Sequence, residues 1–285
     1  MIEINTRTQV CGLLGNPVEH SLSPAIHNAA FQKLGLNFVY LAFKVVDLEG
    51  ALRGIRALGN LRGFSVTIPH KVAVIPLLDE VETTAKHIGA VNTIVVKDGR
   101  LTGYNTDASG ALRALRDGVG NLKNQRVVML GSGGAARAIA FALATSPDRA
   151  HLTILGVDER ERRGLVEDLR KKTDLRVEDG PITEAELRRH LKDAQILLHC
   201  TPVGMAPAVD DTCVPAGLLG PHLLAMDIVY NPLETRLLRE ARAAGCRTIP
   251  GIEMFLNQAV AQFELWTGQT APADVMRRVL ESRLA

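Results

Sequence analysis

Residues Arg126-Val127-Val128-Met129-Leu130-Gly131-Ser132-Gly133-Gly134-Ala135-Ala136-Arg137-Ala138 run from a short apolar stretch through glycines into helix formers that continue to Thr145. This is the strand, glycine turn and helix of a dinucleotide fold, in the form G-x-G-x-x-A. Gly131 permits the tight turn, Gly133 lets backbone approach a pyrophosphate, and Ala136 keeps the helix close to the strand. Unpaired N–H groups in the first helical turn favour phosphate. Leu152–Leu155 follows where the next strand is due. An acidic residue at its tip would bond a ribose 2′-hydroxyl, and an arginine there would hold a 2′-phosphate. The tip reads Gly156-Val157-Asp158-Glu159-Arg160-Glu161-Arg162-Arg163. Asp158 suits NAD, and Arg160, Arg162 or Arg163 suit NADP, so the cofactor stays open at this point.

Working outward, strand-length apolar runs alternate with helix-length amphipathic stretches. Candidate strands are Val10–Leu14, Phe38–Phe43, Gly63–Ile68, Ile196–His199, Leu224–Ile228 and Arg247–Ile249. The alternation implies an α/β fold with mainly parallel strands. The charge run from Asp158 to Lys172 carries Leu165 and Leu169 at i, i+4 and reads as a solvated helix face. Asp98-Gly99 suits a two-residue type I′ hairpin turn, whose central residues both need positive φ. That register sets Lys97 opposite Arg100 and Asn92 opposite Asn105, next to Thr106-Asp107. A domain boundary is expected near Asp107.

The chain has 285 residues, a soft prior of two domains. With 33 Lys+Arg against 31 Asp+Glu, it lacks the basic excess expected of a nucleic-acid binder. No apolar run approaches the length that spans a bilayer, and Met1–Arg7 has no signal-peptide core. Cys11, Cys200, Cys213 and Cys246 are scattered, which favours buried thiols in a reducing, cytoplasmic setting over a disulfide framework or a zinc site. No metal-ligand pattern is present.

Ser21-Leu22-Ser23-Pro24 opens a helix that Gly35 stops, with Ser23 expected at the N-cap and Pro24 at N1. Ser21 has no such structural duty, and two hydroxyls at a helix N-terminus suit a carboxylate. Phe64-Ser65-Val66-Thr67-Ile68-Pro69-His70-Lys71 reads as a strand delivering Thr67 and Lys71 to its C-terminal end, where open α/β sheets bind ligands. On spacing alone Lys71, His70 and His20 are equally well surface groups.

Taken in order, these motifs resemble the shikimate dehydrogenase family over nearly the whole chain. The resemblance rests on Gly15-Asn16-Pro17-Val18 with Ser21–Pro24, Val66–Lys71, Gly89-Ala90-Val91-Asn92-Thr93, Asn105-Thr106-Asp107 and Gly131–Ala135. It continues through Thr201-Pro202-Val203-Gly204-Met205, Asp227-Ile228-Val229-Tyr230-Asn231-Pro232 and Gly251-Ile252-Glu253-Met254, leading to Gln258. It implies an N-terminal α/β substrate domain of 1–106 plus 251–285, a Rossmann-type parallel-sheet domain of 107–250, and a cleft between them. It implies NADP-dependent reduction of 3-dehydroshikimate in chorismate and aromatic amino-acid biosynthesis. Lys71 and Asp107 would be the catalytic pair. Ser21, Ser23 and Tyr230 would hold the substrate carboxylate, and Thr67, Asn92, Asp107 and Gln258 the ring hydroxyls. Gly131, Ser132, Gly133, Gly134 and Ala135 would line the pyrophosphate, with Asp158 at the adenosine end and Met205 and Gly251–Met254 near the nicotinamide.

Two departures stand out. Gly156-Val157-Asp158 occupies the place of the family's usual Asn-Arg-Thr, and His199-Cys200 precedes Thr201 where Asn-Ala is commoner. The first keeps NAD alongside NADP. Other readings are an NAD-dependent quinate/shikimate dehydrogenase and a non-catalytic dinucleotide- or quinate-sensing regulator. The partners expected are small molecules, neither nucleic acid nor membrane, on a monomer or homodimer.

Overall fold

The computed structural model describes residues 3–148 and 150–284. Two units emerge, one of residues 1–106 with 258–285 and one of 107–257. The family resemblance implies a return to the first unit from about Gly251. By compactness it falls at Gln258, part-way along one helix, because Gly251 itself lies on the backbone of Val229.

In the first unit, β1 (Gln9–Gly15), β2 (Phe38–Lys44) and β3 (Leu61–Val66) are parallel. β5 (Thr93–Lys97) and β6 (Arg100–Tyr104) add an antiparallel hairpin, and β4 (Glu80–Val81) pairs with β6, in the order β2-β1-β3-β5-β6-β4. The hairpin turn is the one its sequence demands. Lys97 pairs with Arg100, and Asp98 and Gly99 have φ of 51° and 74°. α1 (Ser23–Lys33) ends at Leu34, and Gly35 takes the left-handed conformation beyond it with φ of 65°. At its start the expectation needs correcting. Ser23 is the first helical residue, Leu22 holds the cap position without a side-chain bond, and the Ser21 hydroxyl accepts from Ser23 N–H at 3.3 Å. Ser21 therefore does have a structural duty, since it stands two residues ahead of the first free N–H and reaches it. β3 also ends earlier than expected, at Val66, so Thr67 lies just past the strand and Lys71 on the short helix α3 (His70–Ala73).

The core of this unit is aromatic on one side of the sheet. Phe31 packs on Phe263 at 5.3 Å between centroids, and each such ring contributes about 2–3 kcal/mol by burial. Phe263 belongs to α10 (Gly251–Thr267), whose Trp266 donates to Ile94 O at 3.0 Å. Gly63 has to be glycine there, because a Cβ would lie 2.0 Å from the indole nitrogen. α2 (Leu48–Ala57) and α4 (Thr83–Ile88) bury Leu52, Ile55, Ala85 and Ile88, while α11 (Ala273–Leu284) packs against α1.

The second unit begins with α5 (Thr106–Val119) and carries six parallel strands. They are β7 (Arg126–Leu130), β8 (His151–Leu155), β9 (Val177–Gly180), β10 (Ile196–His199), β11 (Leu224–Asp227) and β12 (Arg247–Ile249). Their order, β12-β11-β10-β7-β8-β9, is the doubly wound arrangement of a dinucleotide fold, with the switch point between β7 and β10. α6 (Gly134–Thr145), α7 (Glu159–Lys172), α8 (Glu184–Leu191) and α9 (Arg236–Ala243) are the connections. α7 keeps the solvated face expected of it and buries Leu165 and Leu169, but it also buries Arg162. Cys11, Cys200 and Cys246 are buried free thiols as expected, whereas Cys213 is half-buried. Among the described residues no helix is long and apolar enough to cross a membrane.

Candidate active site

In the first unit the singled-out residues gather at one edge of the sheet, at the C-terminal ends of β1 and β3. Thr67 N–H donates to Leu14 O at 2.9 Å, and Asn16 N–H donates to Ile68 O at 3.0 Å. These bonds lay the Gly15–Ser23 segment along Thr67-Ile68. A Cβ on Gly15 would meet the Thr67 methyl at 2.3 Å, so only glycine admits that approach. Val91 N–H donates to the Lys71 carbonyl at 2.8 Å, which brings Lys71 beside Asn92. Lys71 is half-buried. Ser21 and Ser23 stand at the N-terminus of α1 on the first of these segments.

Beneath this edge runs a buried network that sequence reasoning missed. Tyr40 O–H donates to Ser65 Oγ at 2.7 Å, and Ser65 O–H donates to Gln262 Oε1 at 2.9 Å. Gln262 Nε2–H donates to Thr93 Oγ1 at 2.9 Å, and Thr93 O–H donates to Asn92 Oδ1 at 2.8 Å. Asn92 Oδ1 also accepts from Thr106 N–H at 2.7 Å, and Asn92 Nδ2–H donates to Thr106 Oγ1 at 3.0 Å. The hairpin register foresaw Asn92 near 105–107, and these bonds are that proximity. Gln262 follows the expected Gln258 by four residues and so shares its face of α10. That spacing was the available signal. His27 lies in the same core, stacked on Tyr40 at 4.6 Å, and burial pushes its pKa down to about 3, leaving it neutral. Burial likewise raises Tyr40's pKa, with Ser65 and Ser23 hydrogen bonds opposing.

In the second unit the glycine turn has an open cradle. Gly131 has φ of 107°, and a Cβ there would lie 2.6 Å from Cys200 O. Gly133 is the cap of α6 and supplies no side chain, so the first-turn N–H groups carry no side-chain cap. Around Gly133 and Gly134 a Cβ would meet nothing closer than the Glu161 carboxylate at 3.9 Å. A hollow of about 630 Å³ opens here, lined by Ser132, Gly133, Gly134, Arg137, Asp158 and Arg160 among others. This cradle fits a pyrophosphate. A second hollow of equal volume lies by Arg126, Gln195 and His222 at the strand N-termini, the end where such sheets do not bind ligands.

The charges at the β8 tip divide by geometry. Asp158 caps α7, accepting from Glu161 N–H at 2.8 Å. Arg162 is buried, with Nη1–H on Gly156 O at 2.9 Å and Nε 3.1 Å from Asp179. Arg163 pairs with Glu159 at 2.7 Å. Arg160 is the tip arginine that lines the hollow. Glu161, which sequence reasoning did not single out, accepts from the Ser132 hydroxyl at 3.0 Å. Elsewhere in this unit Gly251 lies on backbone, where a Cβ would meet Val229 O at 2.4 Å, and Tyr230 packs on Phe255 at 4.8 Å. Met254 is buried and Met205 is 47% exposed. Asp107 is the second residue of α5, directly after Thr106.

Comparison with known proteins places these features. The family profile described as the shikimate dehydrogenase substrate binding domain matches residues 13–94, and that described as the shikimate 5'-dehydrogenase C-terminal domain matches 251–281. A shikimate dehydrogenase (NADP(+)) of Methanopyrus kandleri is 46% identical over 99% of this chain and 98% of its own length. A crystal structure of a shikimate dehydrogenase in complex with NADP+ superposes with a TM-score of 0.93 at 39% identity, covering 99% of this chain and 98% of that one. Shikimate 5-dehydrogenase of Thermus thermophilus, solved with NADP(H) and shikimate, gives a TM-score of 0.84 at 36% identity, covering 96% of this chain and 99% of that one.

Proposed function

Because the chain belongs to the shikimate dehydrogenase family, we propose that it interconverts 3-dehydroshikimate and shikimate with NADP(H). The observation that carries the reading is the edge where Ser21, Ser23, Thr67, Lys71 and Asn92 are brought together by backbone bonds. An ammonium among neutral hydroxyl and amide groups fits a polyol ketone bearing one carboxylate. When bound, the nicotinamide supplies or accepts the hydride. The ketone oxygen gains negative charge as its carbon receives hydride, and Lys71 stabilises that charge and delivers the proton. In this reading Asp107 is the catalytic carboxylate partner, and the proton that Lys71 gives up is replaced from solvent. Ser21 and Ser23 hold the substrate carboxylate at the start of α1, with Tyr230, and Thr67, Asn92, Asp107 and Gln258 read the ring hydroxyls.

The cofactor is held by the first-turn N–H groups after Gly133, with Gly131, Ser132, Gly134 and Ala135 lining the pyrophosphate. Met205, Gly251 and Met254 flank the nicotinamide. Arg160 is the tip arginine that lines the hollow, so it takes the 2′-phosphate in this reading. Asp158, already serving as a helix cap, contributes at the adenosine end. The free thiols accord with a reducing cytoplasm. Replacing Lys71 by alanine tests the proposal. Turnover is expected to fall by about 10²–10⁴-fold, while the dissociation constant for shikimate, measured by calorimetry, changes far less. Wild-type turnover in K71A would refute the assignment.

A further inference from the structure

His199 and Asp227 are register partners at the C-terminal ends of β10 and β11. They are 1% and 0% exposed, and their side chains meet at 2.9 Å between Nδ1 and Oδ1. The other ring nitrogen, Nε2, is 2.5 Å from Thr201 Oγ1. Asp227 is otherwise fed by neutral donors, with Thr235 O–H on Oδ2 at 2.6 Å and Val229 N–H on Oδ1 at 3.0 Å. Thr201 Oγ1 accepts from Val203 N–H at 3.2 Å. The bonds therefore run from a buried carboxylate through an imidazole to the hydroxyl that ties down the 201–203 turn.

That turn lies against the glycine cradle. Cys200 N–H donates to Leu130 O at 2.8 Å, and a Cβ on Gly131 would lie 3.1 Å from the Thr201 methyl. Met205 N–H in turn donates to Pro202 O at 3.1 Å.

We propose that His199 is a positioning residue for the dinucleotide: fixed by Asp227, it holds Thr201 and with it the 201–205 segment beside the glycine turn. This rests on the cofactor reading above. The buried carboxylate is balanced when both ring nitrogens carry protons, one donated to Asp227 and one to Thr201. Burial opposes that charge. The hydrogen bond donated to Asp227, the Cys213 thiol and the charge of Asp227 outweigh it and hold the pKa up at about 9. The groups facing the ring are Asp227 from β11, Cys213 from the loop before Val214, and the neutral hydroxyl of Thr201, with the Cys200 thiol close to Asp227. Loss of the proton reverses this bond, so that Thr201 O–H donates to a neutral Nε2, and the loss of charge assistance weakens the hold on the segment.

Two measurements test this. In the apo wild type, ¹⁵N NMR of the imidazole, assigned with H199N, is expected to find both His199 nitrogens protonated at pH 7.5. A neutral ring at that pH overturns the proposal, and this arm needs no variant to fold. In fluorescence titrations, NADP+ binding is expected to weaken about tenfold in H199L at pH 7.5. Wild type is expected to lose a similar factor between pH 7.5 and 10, and H199N to lose none. Equal binding by wild type and H199L, or the same pH response in wild type and H199N, overturns it. A wild type that binds no dinucleotide sinks the cofactor reading and this proposal together. One that binds NADP+ but turns over no shikimate sinks the catalytic reading alone.

Discussion

Beneath the site edge of the first unit, Tyr40, Ser65, Gln262, Thr93, Asn92 and Thr106 form a buried network of uncharged groups. Around the strand ends of the second unit and on α6 and α7, charged side chains take part in the polar contacts. Glu161 meets Ser132, Arg137 meets Asp168, Arg162 meets Asp179, and His199 meets Asp227. On the proposed function, the difference matches what each end would recognise. Hydroxyls are discriminated by fixed neutral donors and acceptors, because an analogue lacking a hydroxyl strands a buried partner. A pyrophosphate is recognised by backbone N–H groups, and neighbouring charges tune which nucleotide fits. The first network, made of neutral groups, offers no charge of its own for salt to screen. The second responds to salt and pH.

That contrast can be broken at several points. Replacing Asn92 by alanine removes the Oδ1 that accepts from Thr106 N–H and from the Thr93 hydroxyl. It is expected to cut kcat/KM for shikimate by about 100-fold and to lower the melting temperature, because buried unpaired groups cost about 1–3 kcal/mol each. Replacing Gly131 by valine forces a Cβ toward Cys200 O at positive φ, and about 50-fold weaker NADP+ binding is expected with shikimate binding intact. Arg160→Ala is expected to raise the KM for NADP+ about tenfold and leave that for NAD+ nearly unchanged, an effect that shrinks with added salt. Its absence would remove Arg160 from the 2′-phosphate site.

The smallest effect sharpens the pH contrast. The pKa of His199 is raised in the folded state from 6.5 to about 9. Its stabilisation is therefore fully present below pH 6.5 and lost as pH rises through 9, by at most about 3 kcal/mol. Chemical denaturation between pH 7 and 10 is expected to show that slope in wild type and not in H199N. A flat wild-type profile would place the charge elsewhere.

Much of this was legible in the sequence where local chemistry decides. The type I′ turn at Asp98-Gly99 fixed the hairpin register, and with it the approach of Asn92 to Thr106. The glycine spacing after β7 located the cradle. What stayed hidden depends on non-local pairing. His199 and Asp227 are 28 positions apart and meet only because β10 and β11 are neighbours in register. Ser65 and Gln262 are 197 apart and meet only because α10 returns to the first sheet. β9, reading Val-Glu-Asp-Gly, carries too little apolar pattern to be seen, which an edge strand tolerates. The start of α1 is easily misplaced because Ser21 and Ser23 are both good caps and only the backbone at Leu22 separates them.

The most direct test of the central claim is steady-state kcat/KM for shikimate and for quinate, each with NADP+ and with NAD+. The highest value is expected for shikimate with NADP+, with quinate lower under either cofactor. Equal or faster turnover of quinate with NAD+, or no shikimate-dependent reduction of either nucleotide, would contradict it.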